Sequence, residues 1–278
     1  MLTIIETLQL STKYLTEKGI ERARRDSEEL LCHLLNLPRL QLYLEHERPL
    51  QEDELSQMRA LIARRGQREP LQYILGSVPF YNCTINVDKR VLIPRPETEW
   101  LVDRVSKQIE SKKVLLDLCC GSGCIGIALK KAHPELRVLA SDFSLDAIAL
   151  AKHNARINEV DIEFFTGDLL APFKGMFFDY CVCNPPYATT DEIPQLQKEV
   201  VDYEPLCALD GGKDGLLFYR RLAHELSHHM PPNGKAWFEI GAHQGHSIIQ
   251  LFDKKGWIEC YFERDLAGFD RYISLVKE

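Results

Sequence analysis

The residues best suited to chemistry form the tetrapeptide Asn184-Pro185-Pro186-Tyr187, which directly follows the apolar run 178–183. The side-chain oxygen of Asn184 and a proline carbonyl can both accept hydrogen bonds from one NH₂ group. Proline fixes φ and has no N–H, so these carbonyls keep a defined direction. The ring of Tyr187 can pack against a flat amide or base. The pattern predicts a site that holds a planar NH₂ group for methyl transfer to its nitrogen; the bland alternative is a Pro-Pro turn that ends a strand.

A glycine-rich turn supplies a second candidate site. Gly121, Gly123 and Gly126 form a Gly-x-Gly-x-x-Gly pattern after an apolar run, and such a turn lets the backbone approach a ligand closely. Enzymes that bind nicotinamide dinucleotides share the pattern, so it is not specific by itself. Asp142 ends the next apolar run and can accept hydrogen bonds from both ribose hydroxyls of a nucleoside. Leu169 follows the third run, where we expect contact with the base.

The acidic residue Asp117 lies four positions before the first glycine and favours one cofactor over the other. Its carboxylate can approach an ammonium group, a cation for which a pyrophosphate-binding loop has no use. The methionine part of S-adenosyl-L-methionine carries such a cation. The sequence therefore favours S-adenosyl-L-methionine as the cofactor and S-adenosyl-L-homocysteine as its product.

The hydrophobic pattern around these residues divides the chain into three regions. Apolar stripes at helical spacing predict a helical bundle over residues 1–73. A period-two alternation predicts a connecting β-hairpin over residues 74–94. Over residues 95–278, short apolar strands alternate with helices, which is typical of an α/β fold with a parallel, doubly wound sheet. Ligands of such sheets bind at the carboxyl ends of the strands, which Asp142 and Asn184 follow.

Composition excludes several classes of protein. The 278 residues carry 34 Lys and Arg against 41 Asp and Glu, a formal charge of −7, which disfavours electrostatic binding of long duplex DNA. No apolar run reaches the roughly 20 residues that a transmembrane helix needs, and we see no secretory signal. Nine cysteines, an odd number, favour reduced thiols in the cytoplasm over a disulfide framework.

At these motifs the sequence resembles the HemK/PrmC family, the methyltransferases of the glutamine amide in peptide chain release factors. The resemblance covers nearly the whole chain. Within it, Ile-Pro-Arg-Pro-Glu-Thr-Glu is far more specific than Asn-Pro-Pro-Tyr, which DNA and RNA amino-methyltransferases also carry. The segments that carry the resemblance are residues 69–76, 92–99, 184–187, 204–205, 209–212 and 238–241.

This resemblance implies a class I S-adenosylmethionine-dependent methyltransferase domain behind an N-terminal helical domain that helps to grip the release factor. The reaction would methylate the side-chain nitrogen (N5) of the glutamine in the Gly-Gly-Gln motif of release factors. The glutamine would meet the catalytic residues Asn184, Pro185, Pro186 and Tyr187. We expect a monomer that needs no direct contact with nucleic acid and no membrane. The cofactor contacts implied by motif position are Cys119, Cys120, Gly121, Ser122, Gly123, Asp142, Leu169 and Asn184.

One residue departs from the family pattern. Cys119 stands where the family usually has glycine, in Asp-x-Gly-x-Gly-x-Gly. A Cβ and a sulfur at this bend would crowd the methionine end of the cofactor, whereas at negative φ a cysteine fits with little change. We expect the enzyme to remain active in either case.

The main rival is an adenine or cytosine amino-methyltransferase of nucleic acids, which uses the same tetrapeptide. Such an enzyme needs a basic groove. The first 70 residues hold 11 Lys and Arg against 12 Asp and Glu, so no basic footprint is present there. A non-enzymatic adaptor with a degenerate nucleoside fold is disfavoured by the intact Asp142 and Asn184.

A formal zinc-hydrolase pattern also occurs in the chain, His224-Glu225-Leu226-Ser227-His228. On a helix both histidines would share one face, with His243, His246 or Glu239 as a nominal third ligand. The segment is predicted on an outer helix away from the strand ends, so a solvated polar face is favoured and no metal is predicted.

Three charged residues at the start of a predicted helix stay without an assignment. Arg95, Glu97 and Glu99 would cap and orient the helix that covers the cofactor, or they would contact a partner protein. The sequence does not decide between these roles.

Overall fold

The computed structural model describes residues 2–253, 256–265 and 267–278. The chain divides into two units, one formed by Met1–Gly76 with Gln197–Tyr203 and the other by Ser77–Leu196 with Glu204–Glu278. The helices in chain order are α1 (Ile4–Glu17), α2 (Ala23–Leu35), α3 (Arg39–Leu44), α4 (Glu52–Gly66), α5 (Leu71–Leu75), α6 (Pro96–Ser106), α7 (Cys124–Ala132), α8 (Leu145–Ile157), α9 (Lys198–Tyr203), α10 (Leu217–Glu225) and α11 (Gly245–Phe252). The strands are β1 (Ser77–Phe80), β2 (Cys83–Asn86), β3 (Val114–Leu118), β4 (Arg137–Asp142), β5 (Glu163–Thr166), β6 (Tyr180–Cys183), β7 (Lys235–Glu239), β8 (Trp257–Arg264) and β9 (Asp270–Lys277).

The first unit is helical, which confirms the predicted N-terminal bundle. Helix α1 begins with a capping box, in which the backbone N–H of Thr3 donates to Glu6 and the hydroxyl of Thr3 accepts from the backbone N–H of Glu6. Leu30 and Leu31 of α2 are fully buried in the core of this unit. Ile4, Leu8 and Leu15 of α1 recur at helical spacing and are buried in the same core, so one face of α1 is apolar and packs inward.

The sheet of the second unit confirms the predicted doubly wound α/β fold. Over the described residues, seven strands lie in the order β5-β4-β3-β6-β7-β9-β8. Strands β3 to β7 are mutually parallel in their pairs. The last two strands are an exception, since β9 runs antiparallel to both β7 and β8. A five-residue link between β8 and β9 is too short for a parallel crossover, so this end of the sheet is antiparallel.

The hairpin β1–β2 is antiparallel and belongs to the second unit. The backbone groups on the outer edge of β2 form hydrogen bonds with two side chains from the α8 region. The amide of Asn154 donates to the carbonyl and accepts from the N–H of Asn86, at 3.0 and 2.9 Å. Asn158 does the same for Thr84, at 2.7 and 3.1 Å. These amides take the place of a neighbouring strand along β2.

None of the helices in the described parts of the chain has the length and apolar character needed to cross a bilayer. All nine cysteines carry free thiols. Four of them, Cys119, Cys120, Cys124 and Cys207, line the cavity described below.

Candidate active site

A cavity of about 670 Å³ opens at the carboxyl ends of β3, β4 and β6. This volume lies within the range of small-molecule sites. The structure brings several of the sequence-predicted residues to its wall. They are Cys119, Cys120, Gly121, Ser122, Asp142, Asn184 and Pro186.

The glycine-rich turn after β3 is held by backbone bonds. The N–H of Cys120 donates to the carbonyl of Ser141 at 3.0 Å, and the N–H of Gly123 donates to the carbonyl of Cys120 at 2.7 Å. Gly123 has φ of 80°, and a Cβ there would lie 3.1 Å from the Cβ of Ala151. The predicted contact residue Gly123 therefore serves the close packing of α7 on α8, and it does not line the cavity.

Cys119 adopts φ of 54°, in the left-handed region where glycine is the usual residue. The condition under which a cysteine fits this bend without strain, a negative φ, is therefore not met. Its side chain lines the cavity and interacts with the thiol of Cys183. The cysteine is accommodated in the cavity wall at a cost in backbone strain.

Asp117 is fully buried and does not line the cavity. The expectation that it approaches an ammonium group directly is not met, because of this burial. One carboxylate oxygen, Oδ2, accepts a hydrogen bond from the backbone N–H of Gly126 at 2.8 Å. Among the residues that the structure describes, its other oxygen, Oδ1, is buried without a hydrogen-bond partner. Burial raises the pKa of this carboxyl to about 7. Its role in this structure is to tie the end of β3 to the first turn of α7.

Asp142 ends β4 at the cavity wall. Its two oxygens accept from the backbone N–H groups of Gly121 and Ser144, at 2.8 and 2.9 Å. Burial raises its pKa although these bonds act in the opposite direction. A carboxylate oxygen has more than one lone pair, so each oxygen can still accept a hydroxyl donor from a ligand in the cavity.

The third predicted loop contributes through a different residue from the one expected. Leu169 is buried in the core with φ of 47° and does not line the cavity. Its neighbour Asp168 does, and it accepts two hydrogen bonds from the guanidinium of Arg221 on α10, at 2.8 and 3.0 Å. Phe143, which is 74% exposed, also lines the cavity. The only trace of this ring in the sequence is an aromatic residue directly after Asp142, and it was not predicted as a site residue.

The Asn-Pro-Pro-Tyr segment follows β6 and divides between cavity and core. Both prolines are buried, but only Pro186 lines the cavity, together with Asn184. Tyr187 packs against the core of this unit, and its backbone carbonyl accepts from the side chain of Gln244 at 3.0 Å. The Asn184 Nδ2 lies 3.5 Å from the hydroxyl of Thr98.

The charged residues at the start of α6 have distinct surroundings. Arg95 is the N-cap residue, but its side chain makes no capping bond. Its guanidinium instead donates to the buried carboxylate of Glu204 at 2.7 Å, across the cavity wall. Burial raises the pKa of Glu204 in spite of this pairing. Glu97 and Glu99 lie in the first turn of α6, where a negative charge is favourable.

The zinc-hydrolase pattern does not form a metal site in the described part of the chain. Helix α10 ends at Glu225, and a 3-10 turn follows over Leu226–His229, so the regular helical spacing of the two histidines is lost. Glu225 lies 3.5 Å from Arg221. Among the residues that the structure describes, no group of three or more His, Cys, Asp or Glu side chains could hold a metal ion.

Cys120 on the cavity wall and the fully buried Cys183 are structural. Burial raises the pKa of Cys120 well above its usual value and does the same for Cys183. A thiol with a raised pKa is a poor nucleophile. These side chains therefore act as small apolar residues.

Comparisons with known proteins agree with this arrangement. Residues 6–76 match the PrmC N-terminal domain, and residues 96–213 match the methyltransferase small domain. A protein from Geobacter sulfurreducens named "Release factor glutamine methyltransferase" is 40% identical over 272 residues, which cover 98% of this chain and 96% of that protein. A protein of the same name from Chlamydia trachomatis is 38% identical over 274 residues, covering 98% and 93%.

Solved structures show the same fold at low sequence identity. A methyltransferase from Pyrococcus furiosus superimposes with a TM-score of 0.55 at 17% identity, covering 71% of this chain and 90% of that one. A 16S rRNA methyltransferase from T. thermophilus gives a TM-score of 0.54 at 12% identity, covering 73% and 50%. These relatives match the chain over nearly its full length, which confirms the resemblance seen in the motifs. The chain belongs to the family of release factor glutamine methyltransferases.

Proposed function

We propose that this protein transfers a methyl group from S-adenosyl-L-methionine to the N5 nitrogen of the glutamine in the Gly-Gly-Gln motif of peptide chain release factors. The observation that carries the proposal is the position of Asn184 on the wall of the same cavity as Asp142. The side chain of Asn184 can accept a hydrogen bond from an amide, and that of Asp142 can accept hydrogen bonds from a ribose. The names of the relatives supply the substrate class.

The residues present fit a nucleoside cofactor with a charged sulfonium. Asp142 is fixed by two backbone N–H groups and keeps acceptor sites for the ribose hydroxyls. Phe143 offers an exposed ring beside it for the adenine, and Asp168 offers a fixed carboxylate for an exocyclic amine. Cys119, Cys120, Gly121 and Ser122 line the cavity and would hold the methionine end. When bound, S-adenosyl-L-methionine would supply a methyl group that its positive sulfur makes electrophilic.

The protein's own contribution is to position the substrate amide. The Oδ1 of Asn184 and a carbonyl of the proline pair accept from the two hydrogens of the substrate NH₂. Because both prolines fix φ, the carbonyl direction does not change when the substrate enters. Holding the nitrogen in line with the methyl group converts a bimolecular encounter into an oriented one, which supplies a large part of the rate.

The test is methyl transfer from labelled S-adenosyl-L-methionine to a purified release factor, with its Gly-Gly-Gln glutamine intact or replaced by alanine. Label in the intact factor alone supports the proposal. Equal label in both forms shows that the acceptor lies elsewhere, and label in RNA or DNA instead supports the amino-methyltransferase alternative. An Asn184→Ala variant should lose transfer even at saturating S-adenosyl-L-methionine, because Asn184 is expected to hold the substrate amide as well as to contact the cofactor.

The proposal places the reaction in the cytoplasm, with a monomer acting on a protein substrate without direct contact to nucleic acid. Nine free thiols support the reducing compartment. The overall acidic charge supports a protein partner over a nucleic acid. Gel filtration with light scattering would check the monomer.

A further inference from the structure

The carboxyl group of Glu239 lies next to Asn184 but outside the cavity. Strands β6 and β7 pair in parallel with Cys183 opposite Phe238, so Asn184 and Glu239 are the next residues of neighbouring strands. Glu239 is 2% exposed and does not line the cavity. The resemblance gives this residue no role, and the zinc-hydrolase pattern that named it as a nominal third ligand forms no metal site among the described residues.

Glu239 and Asn184 are connected by a third residue. The hydroxyl of Thr98, on α6, donates to Glu239 Oε2 at 2.7 Å. The same hydroxyl oxygen lies 3.5 Å from Asn184 Nδ2, and the Glu239 carboxylate also interacts with the Asn184 side chain. Thr98 is almost fully buried, so water does not compete strongly for these groups.

The polarity of this chain of bonds is fixed at one end. An ionised carboxylate can only accept hydrogen bonds, so Thr98 must give its single hydroxyl hydrogen to Glu239. The oxygen of Thr98 is then free to accept, and it faces the NH₂ of Asn184. The carbonyl oxygen of Asn184 is therefore turned toward the cavity, which is the orientation that accepts a substrate NH₂.

We propose that Glu239 is a positioning residue for the transfer reaction, which acts through Thr98 to keep the amide oxygen of Asn184 directed at the substrate. The inference rests on the proposed function, because it assigns the substrate an NH₂ group. Glu239 does not touch the reacting atoms, so its effect on the rate is exerted through Asn184.

The protonation state of Glu239 decides whether the arrangement holds. Burial raises its pKa to about 7, Thr98 and Asn184 oppose this shift by hydrogen bonding, Glu97 adds to it and Arg271 opposes it. A protonated Glu239 can donate to Thr98, which then directs its own hydrogen at Asn184 and turns the amide around. The other titratable groups near Glu239 are Tyr187, Tyr272, Tyr219 and Cys124.

The kinetic experiment compares wild type with Glu239→Gln, and with Glu135→Gln as a matched control at an exposed position. The carboxylate accepts from both Thr98 and Asn184, whereas a glutamine keeps one acceptor oxygen and replaces the other by an NH₂ donor, so it cannot accept from both. We expect kcat to fall at least tenfold in Glu239→Gln, with KM for the release factor and affinity for S-adenosyl-L-homocysteine within about twofold of wild type. The acid limb of the wild-type pH–kcat profile, centred near neutral pH, should disappear in the variant.

A second pair of variants separates positioning from folding. Thr98→Val removes the hydroxyl at nearly constant volume and should reproduce the loss of kcat, whereas Thr98→Ser should restore most of it. The loss in the double variant Glu239→Gln/Thr98→Val should not exceed that of the larger single variant, because both interrupt one chain of bonds. Wild-type kcat and an unchanged pH profile in Glu239→Gln, or additive losses in the double variant, would overturn the proposal.

A spectroscopic measurement tests the effect of Glu239 on Asn184 without any substrate. In ¹⁵N-labelled protein, the side-chain amide signals of Asn184, assigned by their loss in Asn184→Ala, should shift with pH around neutrality in wild type. They should be pH-independent in Glu239→Gln. Signals that titrate equally in both proteins would reject the inference about Glu239, even if wild type methylates the release factor. A wild type that transfers nothing to the factor, with signals behaving as expected, would reject the proposed substrate alone.

Discussion

The buried carboxylate of Asp117 accepts a hydrogen bond from the backbone N–H of Gly126 at 2.8 Å. Gly126 is close enough that a Cβ on it would lie 2.9 Å from the same oxygen. The contact joins the end of β3 to α7, and the glycine-rich turn lies between the two. An acidic residue at this position thus acts on the cofactor site by fixing the loop that lines it, from a place that solvent does not reach.

The same burial predicts a dependence of stability on pH. The pKa of Asp117 is about 7 in the folded protein against 3.8 for a free side chain, so the folded state binds this proton more tightly. The contribution to stability is fully present below pH 3.8 and is lost as the pH rises through 7. Asp117→Asn should therefore flatten the pH dependence of the free energy of unfolding, by roughly 1–2 kcal/mol between about pH 5.5 and 7.

Urea unfolding at several pH values measures this effect. The pKa of Glu239 is likewise raised by folding, from 4.5 to about 7, so this residue also loses stabilising effect as the pH rises. Glu239→Gln combined with Asp117→Asn should therefore flatten the pH dependence of the free energy of unfolding further than Asp117→Asn alone. Asp146→Asn, at an exposed site, is the control that should leave the slope as it is. An Asp117→Asn protein with the wild-type slope would show that this carboxyl does not titrate in the range.

Backbone strain at Cys119 predicts an unusual preference for glycine. At φ of 54° any side chain with a Cβ is strained, while glycine is not. Cys119→Gly and Cys119→Ala both remove the sulfur, so the difference in stability between these two variants reports the backbone strain. We expect the glycine variant to be more stable than the alanine variant by about 0.5–1 kcal/mol.

Denaturation midpoints and titration with S-adenosyl-L-homocysteine check this pair. The glycine variant should bind the ligand at least as tightly as wild type, since the cavity wall loses only the cysteine side chain. An alanine variant of equal or greater stability would mean that the loop relaxes to a negative φ when the sulfur is removed.

The site residues that could be predicted from the sequence belong to local patterns. The contacts that could not be predicted join residues far apart in the chain. The turn after β3, Asp142 at the end of β4 and Asn184 after β6 are readable because each follows a buried strand of a parallel sheet. Thr98 and Glu239 are 141 residues apart and carry no local signal, so their bond appears only once β6, β7 and α6 are packed. The pairing of Asp168 with Arg221 spans 53 residues and was missed for the same reason.

The fixed carboxylate of Asp142 predicts a specific sensitivity to amidation. Asp142→Asn would direct an NH₂ group at the backbone N–H of either Gly121 or Ser144, so one of the two bonds becomes a contact between donors. We expect affinity for S-adenosyl-L-homocysteine to fall by about one to two orders of magnitude, roughly 1.4–2.8 kcal/mol. Calorimetric titration measures it, with Asp146→Asn as a control of the same charge change; an unaltered affinity would exclude Asp142 from the ligand site.

Asn154 predicts a link between the hairpin and the cofactor loop. Its fully buried amide bonds both backbone groups of Asn86 and also donates to the carbonyl of Ser122 at 2.9 Å, a residue of the cavity wall. Asn154→Leu leaves these three backbone groups without their partner. Each such group costs about 1–3 kcal/mol when buried, so we expect a loss of about 3 kcal/mol or more in the free energy of unfolding.

Asn158→Leu is the matched control, because it releases the two backbone groups of Thr84 on the hairpin and the carbonyl of Asn154, and none of these belongs to the cavity wall. Both variants should lose stability in urea unfolding. Only Asn154→Leu should also weaken binding of S-adenosyl-L-homocysteine, because only that amide reaches Ser122. If both variants weakened binding equally, the hairpin as a whole would support the cofactor loop, and the single bond from Asn154 to Ser122 would not be the link.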